Sequence, residues 1–141
     1  MGIEIINPKE VAFTNKKRTV VMSTRKLHSW LLYYPPGKQD EMHCHNGDQT
    51  FHMVAGECTM SFPDGGKVVM RPGMTALITG GSFYQLDNTG SEAMVMMGTR
   101  SGHKDANMHI LYSTRENKRA EKNAEYTAKT GQKVETVEPV G

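Results

Sequence analysis

Residues 37–56 read GKQDEMHCHNGDQTFHMVAG, and this stretch decides the fold. His43 and His45 are separated by one residue, so on a strand their side chains project from the same face. The turn residues 46–48 return the chain and place Gln49 at the start of the next strand, beside the two imidazoles. Two imidazoles and an amide oxygen can together hold one divalent metal ion. Imidazole suits Mn, Fe, Zn and Ni alike, so the identity of the metal stays open.

Short apolar or alternating runs on both sides of this stretch indicate an all-β domain. They cover residues 19–23, 29–34, 50–55, 58–62, 67–70, 75–78, 83–86 and 93–98. Clusters of Gly, Pro, Asn and Asp separate the runs, and residues 63–66 (Pro-Asp-Gly-Gly) are typical of a tight hairpin. Many short strands at regular spacing predict a sandwich or a barrel.

Four spaced positions resemble the first sequence motif of the cupin superfamily. Gly37, His43, His45 and Gly56 match that motif, and Gln49 occupies the place of its usual glutamate. The resemblance implies a double-stranded β-helix, a jelly-roll barrel that is usually dimeric and holds one divalent metal ion near its mouth. Cupins include dioxygenases, decarboxylases, isomerases, lyases and non-catalytic binders, so the resemblance by itself selects no reaction.

Residues 79–88 resemble the second cupin motif less closely. Gly81 and Asn88 match it, Thr79 replaces a proline, and Tyr84 replaces the histidine. Tyr84 is open to three interpretations: a phenolate ligand of the metal, a general acid or base that acts on the substrate, or a wall residue. His109, after the last predicted strand, could instead fold back and supply the missing ligand, as could His103.

Strand parity predicts the residues that line the pocket, because alternate residues of a strand face the barrel interior. The strand at 29–34 contributes either its even-numbered or its odd-numbered residues, and parity does not choose between them. The last predicted strand ends in an arginine that could reach a substrate carboxylate. The predicted lining consists of Trp30, Phe51, Met53, Leu86 and Arg100.

Other polar residues near this stretch have simpler interpretations. Asp40 and Glu41 lie at the entry to His43, where they could assist chemistry, and the preferred interpretation is that they are solvated loop carboxylates. His52 lies on the opposite strand face from Gln49 and is interpreted as a surface or interface residue. Cys44 faces away from the two histidines, which predicts a buried free thiol.

The chain divides into an N-terminal strand or arm (1–24), the barrel (25–100) and a polar C-terminal extension (101–141). Residues 113–116 fit a helix capping box, residues 115–129 are rich in helix formers, and Gly131 is expected to end that helix. The apolar face of this helix is thin. The extension is therefore expected to be an appendage, an oligomer contact or a disordered segment.

The composition and charge of the chain bear on which classes of binding partner are expected. The formal net charge is +2, and the sequence contains neither a basic stripe nor a nucleic-acid-binding motif. No apolar run is long enough to span a membrane, and the first residues lack the apolar core of a secretory signal. We therefore expect a cytoplasmic homodimer that binds a small molecule and neither nucleic acid nor membrane.

These features predict a metal-dependent enzyme that acts on a small hydroxy, keto or carboxylate compound. His43, His45 and Gln49 would hold the metal, and Tyr84 would move a proton. The absent histidine favours lyase, isomerase or decarboxylase chemistry over oxygen activation. One alternative is a non-catalytic binder that has lost the metal chemistry, and a second is an interaction module that works through the C-terminal extension.

Overall fold

The computed structural model describes residues 2–141. The strands are β1 (Thr19–Val21), β2 (Leu27–Tyr34), β3 (His43–Cys44), β4 (Gln49–Ala55), β5 (Cys58–Ser61), β6 (Lys67–Met70), β7 (Thr75–Ile78), β8 (Gln85–Asp87), β9 (Met94–Ser101) and β10 (Ile110–Leu111). Helix α1 (Pro8–Asn15) precedes them, a 3₁₀ turn spans Lys104–Ala106, and helix α2 (Ala120–Thr130) follows. The predicted all-β fold is confirmed.

Two antiparallel layers enclose the core. One is a five-stranded sheet in the order β1-β2-β9-β4-β7. The other combines β6-β5-β8 with the pair β10-β3, because isolated bridges join Gln39 to Asp87 and His43 to Tyr84. The main apolar cluster takes side chains from both layers, which makes the architecture a jelly roll.

The register of β2 follows from what lies on each side of its sheet. Trp30, Leu32 and Tyr34 point into the main cluster. Leu31 points to the outer face, where it packs with Ala12 of helix α1. Both faces of β2 are therefore buried, which explains why its apolar pattern does not alternate.

Helix α1 is absent from the sequence-based prediction, which assigned residues 1–24 to a strand or arm. Asn7 caps its N-terminus by accepting a hydrogen bond from the Glu10 N–H (3.1 Å), and Pro8 occupies the first turn. Lys16 ends it in the left-handed conformation at φ 51°. The Asn-Pro pair was the available signal.

The C-terminal extension contributes to the second layer. Strand β10 pairs with β3, with Ile110 opposite Cys44 and Leu111 opposite His43. Farther along, the Val140 N–H donates to the Gly81 carbonyl (2.8 Å). The extension is thus hydrogen-bonded to the barrel at both of these points.

Helix α2 ends as predicted but begins later. Gly131 terminates it at φ 71°. The expected capping box at 113–116 does not cap it, because Arg115 has φ 63° and the helix starts only at Ala120. The error has a local cause: good helix formers extend across a turn that tertiary contacts fix.

Within residues 2–141, no helix has both the length and the apolar character needed to cross a lipid bilayer.

Candidate metal centre and pocket

Strand β3 lies between two chain segments that both face the same pocket. On one side His43 and Tyr84 exchange two backbone hydrogen bonds of 3.0 Å each. On the other side the β10–β3 register, extended by one residue, places His109 opposite His45. Strand alternation then directs His43, His45, Tyr84 and His109 toward one face.

The three histidines form a compact cluster. One candidate ligand nitrogen from each of His43, His45 and His109 lies within 4.8 Å of the other two. The His43 and His109 rings are nearly parallel, with 4.2 Å between centroids, and the His45 ring is perpendicular to both. A group this compact could hold one ion through metal–nitrogen bonds of ~2.1 Å. The expectation that His109 could fold back agrees with this geometry.

Backbone carbonyls orient two of these rings. The Nδ1–H of His43 donates to the Glu41 carbonyl (2.6 Å), and the Nδ1–H of His45 donates to the Met108 carbonyl (2.8 Å). Each bond fixes the tautomer in which Nε2 carries a lone pair rather than a proton. Such outer contacts are typical of metal-binding histidines.

Burial also prepares the rings for a metal. Burial lowers the pKa of His43 and of His109 to about 4, and lowers the pKa of His45 well below its ordinary value. All three imidazoles are therefore neutral at pH 7 and offer lone pairs. The donor set fits one divalent ion of the Mn, Fe, Zn or Ni type.

Gln49 and Tyr84 form a buried polar chain beside the cluster. The Arg100 Nε–H donates to Gln49 Oε1 (2.8 Å), and Gln49 Nε2 donates to the Tyr84 hydroxyl (2.9 Å). The same hydroxyl lies 3.0 Å from His45 Nε2 and donates to it, because His45 carries its proton on Nδ1. Burial raises the pKa of Tyr84, which keeps the phenol neutral. The assignment of Gln49 as a metal ligand stays a prediction, and its oxygen accepts from Arg100 here.

A pocket of about 290 Å³ opens onto the histidines. Trp30, Phe51 and Leu86 of the predicted lining border it. The other two residues of the predicted lining, Met53 and Arg100, do not border it. Met53 is fully buried in the core, and Arg100 stacks on the Trp30 ring (4.4 Å from its Cζ to the ring centroid). Leu32 and Tyr34, the even-numbered alternative for β2, also line it. Four further lining residues were not assigned to the pocket from the sequence: Arg18, Asp40, Asn107 and Arg119.

Comparison with known proteins identifies the fold family. Residues 30–99 match the family profile described as the cupin domain. The chain is a cupin. No curated protein shows significant sequence similarity to it. His109 and the two arginines of the pocket lie outside the matched residues, on the N-terminal arm and the C-terminal extension.

Solved structures agree with this assignment at the level of fold. BH2720 of Bacillus halodurans superposes with a TM-score of 0.65 at 16% identity, over 72% of this chain and 82% of its own. TT1209 of Thermus thermophilus gives 0.63 at 19%, over 72% and 99%. A double-stranded β-helix protein of Klebsiella pneumoniae gives 0.59 at 20%, over 65% and 81%. At such identities the likeness carries the fold and no reaction.

Two asparagines hold the cupin's C-terminal extension against the site. Asn117 Oδ1 accepts from the backbone N–H groups of His109 and Arg119, both at 3.0 Å. Asn123, which is buried, donates to the carbonyls of Asp105 (3.0 Å) and Asn107 (2.9 Å). His109 lies one residue outside β10, where strand pairing alone would hold it weakly. The hydrogen bonds of Asn117 and Asn123 fix the path of the chain that carries His109.

Asp40 is not the solvated loop carboxylate that the sequence suggested. It is half-buried at the pocket wall, and its Oδ1 accepts from the Leu86 N–H (2.8 Å). The Gln39–Asp87 bridge draws this loop onto β8. Burial raises the pKa of Asp40 to about 7 despite the hydrogen bond from Leu86. His52, in contrast, is exposed and bonds Thr75, as strand parity predicted.

The raised pKa of Asp40 makes fold stability depend on pH. In the unfolded chain the carboxyl ionises near its ordinary value of 3.8, and in the fold near 7, so the folded state binds more protons between these values. The contribution of Asp40 to stability should fall as pH rises from about 4 to 7, and Asp40→Asn should remove this loss. The buried histidines, whose pKa values are lowered, contribute in the opposite direction, but they do so in both proteins and cancel in the comparison. A shift from 3.8 to about 7 corresponds to about 4 kcal/mol, so we expect the variant to be more stable than the wild type by up to about 4 kcal/mol at pH 8 and by little at pH 4.

Denaturant unfolding of both proteins across this range, after chelator treatment, measures the difference. Glu41→Gln, at the adjacent exposed carboxylate, is the matched control and should track the wild type. A gap between Asp40→Asn and the wild type that stays constant with pH would contradict the assignment.

Proposed function

We propose that this cupin is a metal-dependent enzyme that moves a proton on a small oxygenated molecule, as in lyase, isomerase or decarboxylase reactions. The observation that supports it most is one small pocket lined by three neutral imidazoles, two phenols and a carboxylic acid whose pKa is about 7. Such a set combines a metal site with groups that exchange protons near neutral pH.

His43, His45 and His109 are the residues that would hold the ion. A divalent metal bound there would supply a positive charge that polarises a substrate hydroxyl or carbonyl oxygen. His109 restores a third histidine, so the argument from sequence that a missing histidine disfavours oxygen activation no longer applies. What favours proton transfer is the presence of Tyr84 and Asp40 in the same pocket.

Tyr84 is suited to donate a proton to a substrate oxygen. Its oxygen already accepts from Gln49 Nε2, and Arg100 holds that amide in place. The hydroxyl proton points toward the histidine cluster, where it is donated to His45 Nε2. If His45 Nε2 were a metal ligand, the Tyr84 hydroxyl could instead donate to a substrate oxygen beside that nitrogen.

Asp40 is suited to accept a proton. It lines the pocket, and its backbone N–H and Oδ1 are both bonded to Leu86 (3.1 and 2.8 Å), so the carboxyl is held in place. A pKa of about 7 makes it a base strong enough to act at neutral pH while half of it remains ionised. Tyr34, whose ring shares the pocket, is the neighbour that can stabilise either form.

Metal uptake tests the proposal. Elemental analysis of the purified chain, and titration with Mn, Fe, Zn and Ni, should give about one equivalent. Tyr84→Phe should keep that stoichiometry, because the hydroxyl is assigned as a proton donor and not as a ligand. Tyr112→Phe, which removes a hydroxyl outside the pocket, is the control. Uptake below about a tenth of an equivalent for every metal would overturn the proposal.

A second outcome separates the catalytic cupin from a non-catalytic binder. If a small ligand binds with unchanged affinity to a His43→Ala/His45→Ala variant, binding does not depend on the metal. That result would favour a binder that kept the barrel and lost the chemistry.

A further inference from the structure

Two arginines from opposite ends of the chain meet at the mouth of the pocket. Arg18 lies just before β1, and Arg119 lies just before helix α2. Both border the cavity that contains the histidines, and both border an adjoining cleft of about 220 Å³. They therefore line both the histidine pocket and the cleft beside it.

The two guanidinium groups are close and weakly neutralised. Partial burial and the charge of Arg119 lower the pKa of Arg18. Within residues 2–141 no carboxylate lies within 4.0 Å of the Arg18 guanidinium. Arg119 approaches only Asp105, at 3.7 Å, and Asp105 is already held by Lys104 at 3.1 Å. Like charges this close are unfavourable unless an anion lies between them.

One donor of this pair has no partner. The Nε–H of Arg119 is buried and makes no hydrogen bond to any of residues 2–141. A buried unsatisfied donor costs free energy, and a bound acceptor removes that cost. Arg18 lies over the Trp30 ring at 5.6 Å, which leaves the N–H donors along the edge of its guanidinium available.

The surroundings add positive charge. Lys104 and Lys122 line the adjoining cleft with the two arginines, and Asp105 is the carboxylate among its lining residues. Inside the pocket the carboxyl is Asp40, and burial, which raises its pKa to about 7, leaves it part-protonated at neutral pH. Neither acid balances the arginine pair.

We propose that Arg18 and Arg119 bind an anionic group of the substrate, a carboxylate or a phosphate, while the oxygen that reacts lies at the histidines. Only the statement that the reacting oxygen lies at the histidines rests on the proposed function. Arginine is suited to the role because its fork of donors matches both anions. Asn117 Oδ1 accepts from the backbone N–H groups of His109 and of Arg119, which holds the two segments that carry these side chains next to each other.

Calorimetric titration of the full chain after chelator treatment tests the anion site apart from the metal. The probes are glycerol phosphate and lactate, with glycerol and lactamide as their uncharged counterparts. We expect at least one anion to bind more than tenfold better than its neutral counterpart, because charge-assisted hydrogen bonds contribute about 1.5–3 kcal/mol each. The probe that binds better identifies the anionic group as phosphate or carboxylate.

The Arg18→Gln/Arg119→Gln variant should lose at least about tenfold of that anion affinity. Lys67→Gln/Arg71→Gln removes the same charge from a remote hairpin and should bind as the wild type does. If the first variant fails to fold by circular dichroism, Arg18→Gln alone, at an exposed residue, should lose about threefold. Equal anion affinity in wild type and variant, or no preference for anions over neutral probes, would overturn the inference.

Metal uptake by the same variants keeps the two proposals apart. The Arg18→Gln/Arg119→Gln variant should take up metal as the wild type does, since neither arginine is a ligand. Absence of metal uptake in the wild type would end the proposed function, while anion binding by the chelator-treated chain would still support the arginine site.

Discussion

Replacing His109 with alanine should weaken metal binding by at least ~100-fold, because loss of an outer contact to a ligand already costs about 10–100-fold. His109 provides one of three imidazole nitrogens that lie within 4.8 Å of one another. Its ring stacks on His43 at 4.2 Å, so no other histidine of this cluster can take its place without a shift of the chain. Equilibrium competition against a metal chelator measures the affinity.

His103→Ala is the matched control for this change. It removes a histidine from the same extension, but this histidine caps the 3₁₀ turn and contacts Tyr126 outside the pocket. Metal affinity of His103→Ala should equal that of the wild type. Should His109→Ala also retain wild-type affinity while Gln49→Ala loses it, the ligand set would be the one that the sequence motif implies.

Gly98→Ala should destabilise the fold by about 3 kcal/mol, at the upper end of the range for overpacked cores. Gly98 on β9 lies opposite Trp30 on β2, and the indole ring covers its Cα. A β-carbon there would lie 2.5 Å from Trp30 Cε2 and 2.8 Å from Cη2. The ring has little room to move, because it is buried between Phe51 and the Arg100 guanidinium.

Chemical denaturation of Gly98→Ala, Trp30→Phe and the double variant measures this clash. The smaller ring should recover part of the loss, so the double variant should be more stable than the sum of the single changes predicts. Because the Arg100 guanidinium stacks on Trp30, the Gly98→Ala variant should also disturb the hydrogen bond from Arg100 to Gln49. A change below ~0.5 kcal/mol for Gly98→Ala would contradict the packing described here.

Local sequence patterns predicted much of the fold. The eight predicted runs each overlap a strand of the structure, since alternation and turn residues are local signals. Cys44 faces away from the histidines and is a buried free thiol, as parity requires. Strand β10 was missed because the short apolar run after His109 is too brief to distinguish from a loop. Helix α1 was missed because its apolar face is weak.

The sequence by itself determined the pair His43 and His45, their common face and the barrel that presents them, because spacing along one strand fixes these features. Only the tertiary structure decided the rest of the site. His45 contacts the Met108 carbonyl across 63 positions of sequence, and His109 follows that residue into the pocket. Arg18 and Arg119 meet across a longer separation still. A side-chain period of two residues carries no information about which distant segment returns, since that depends on the whole path of the chain.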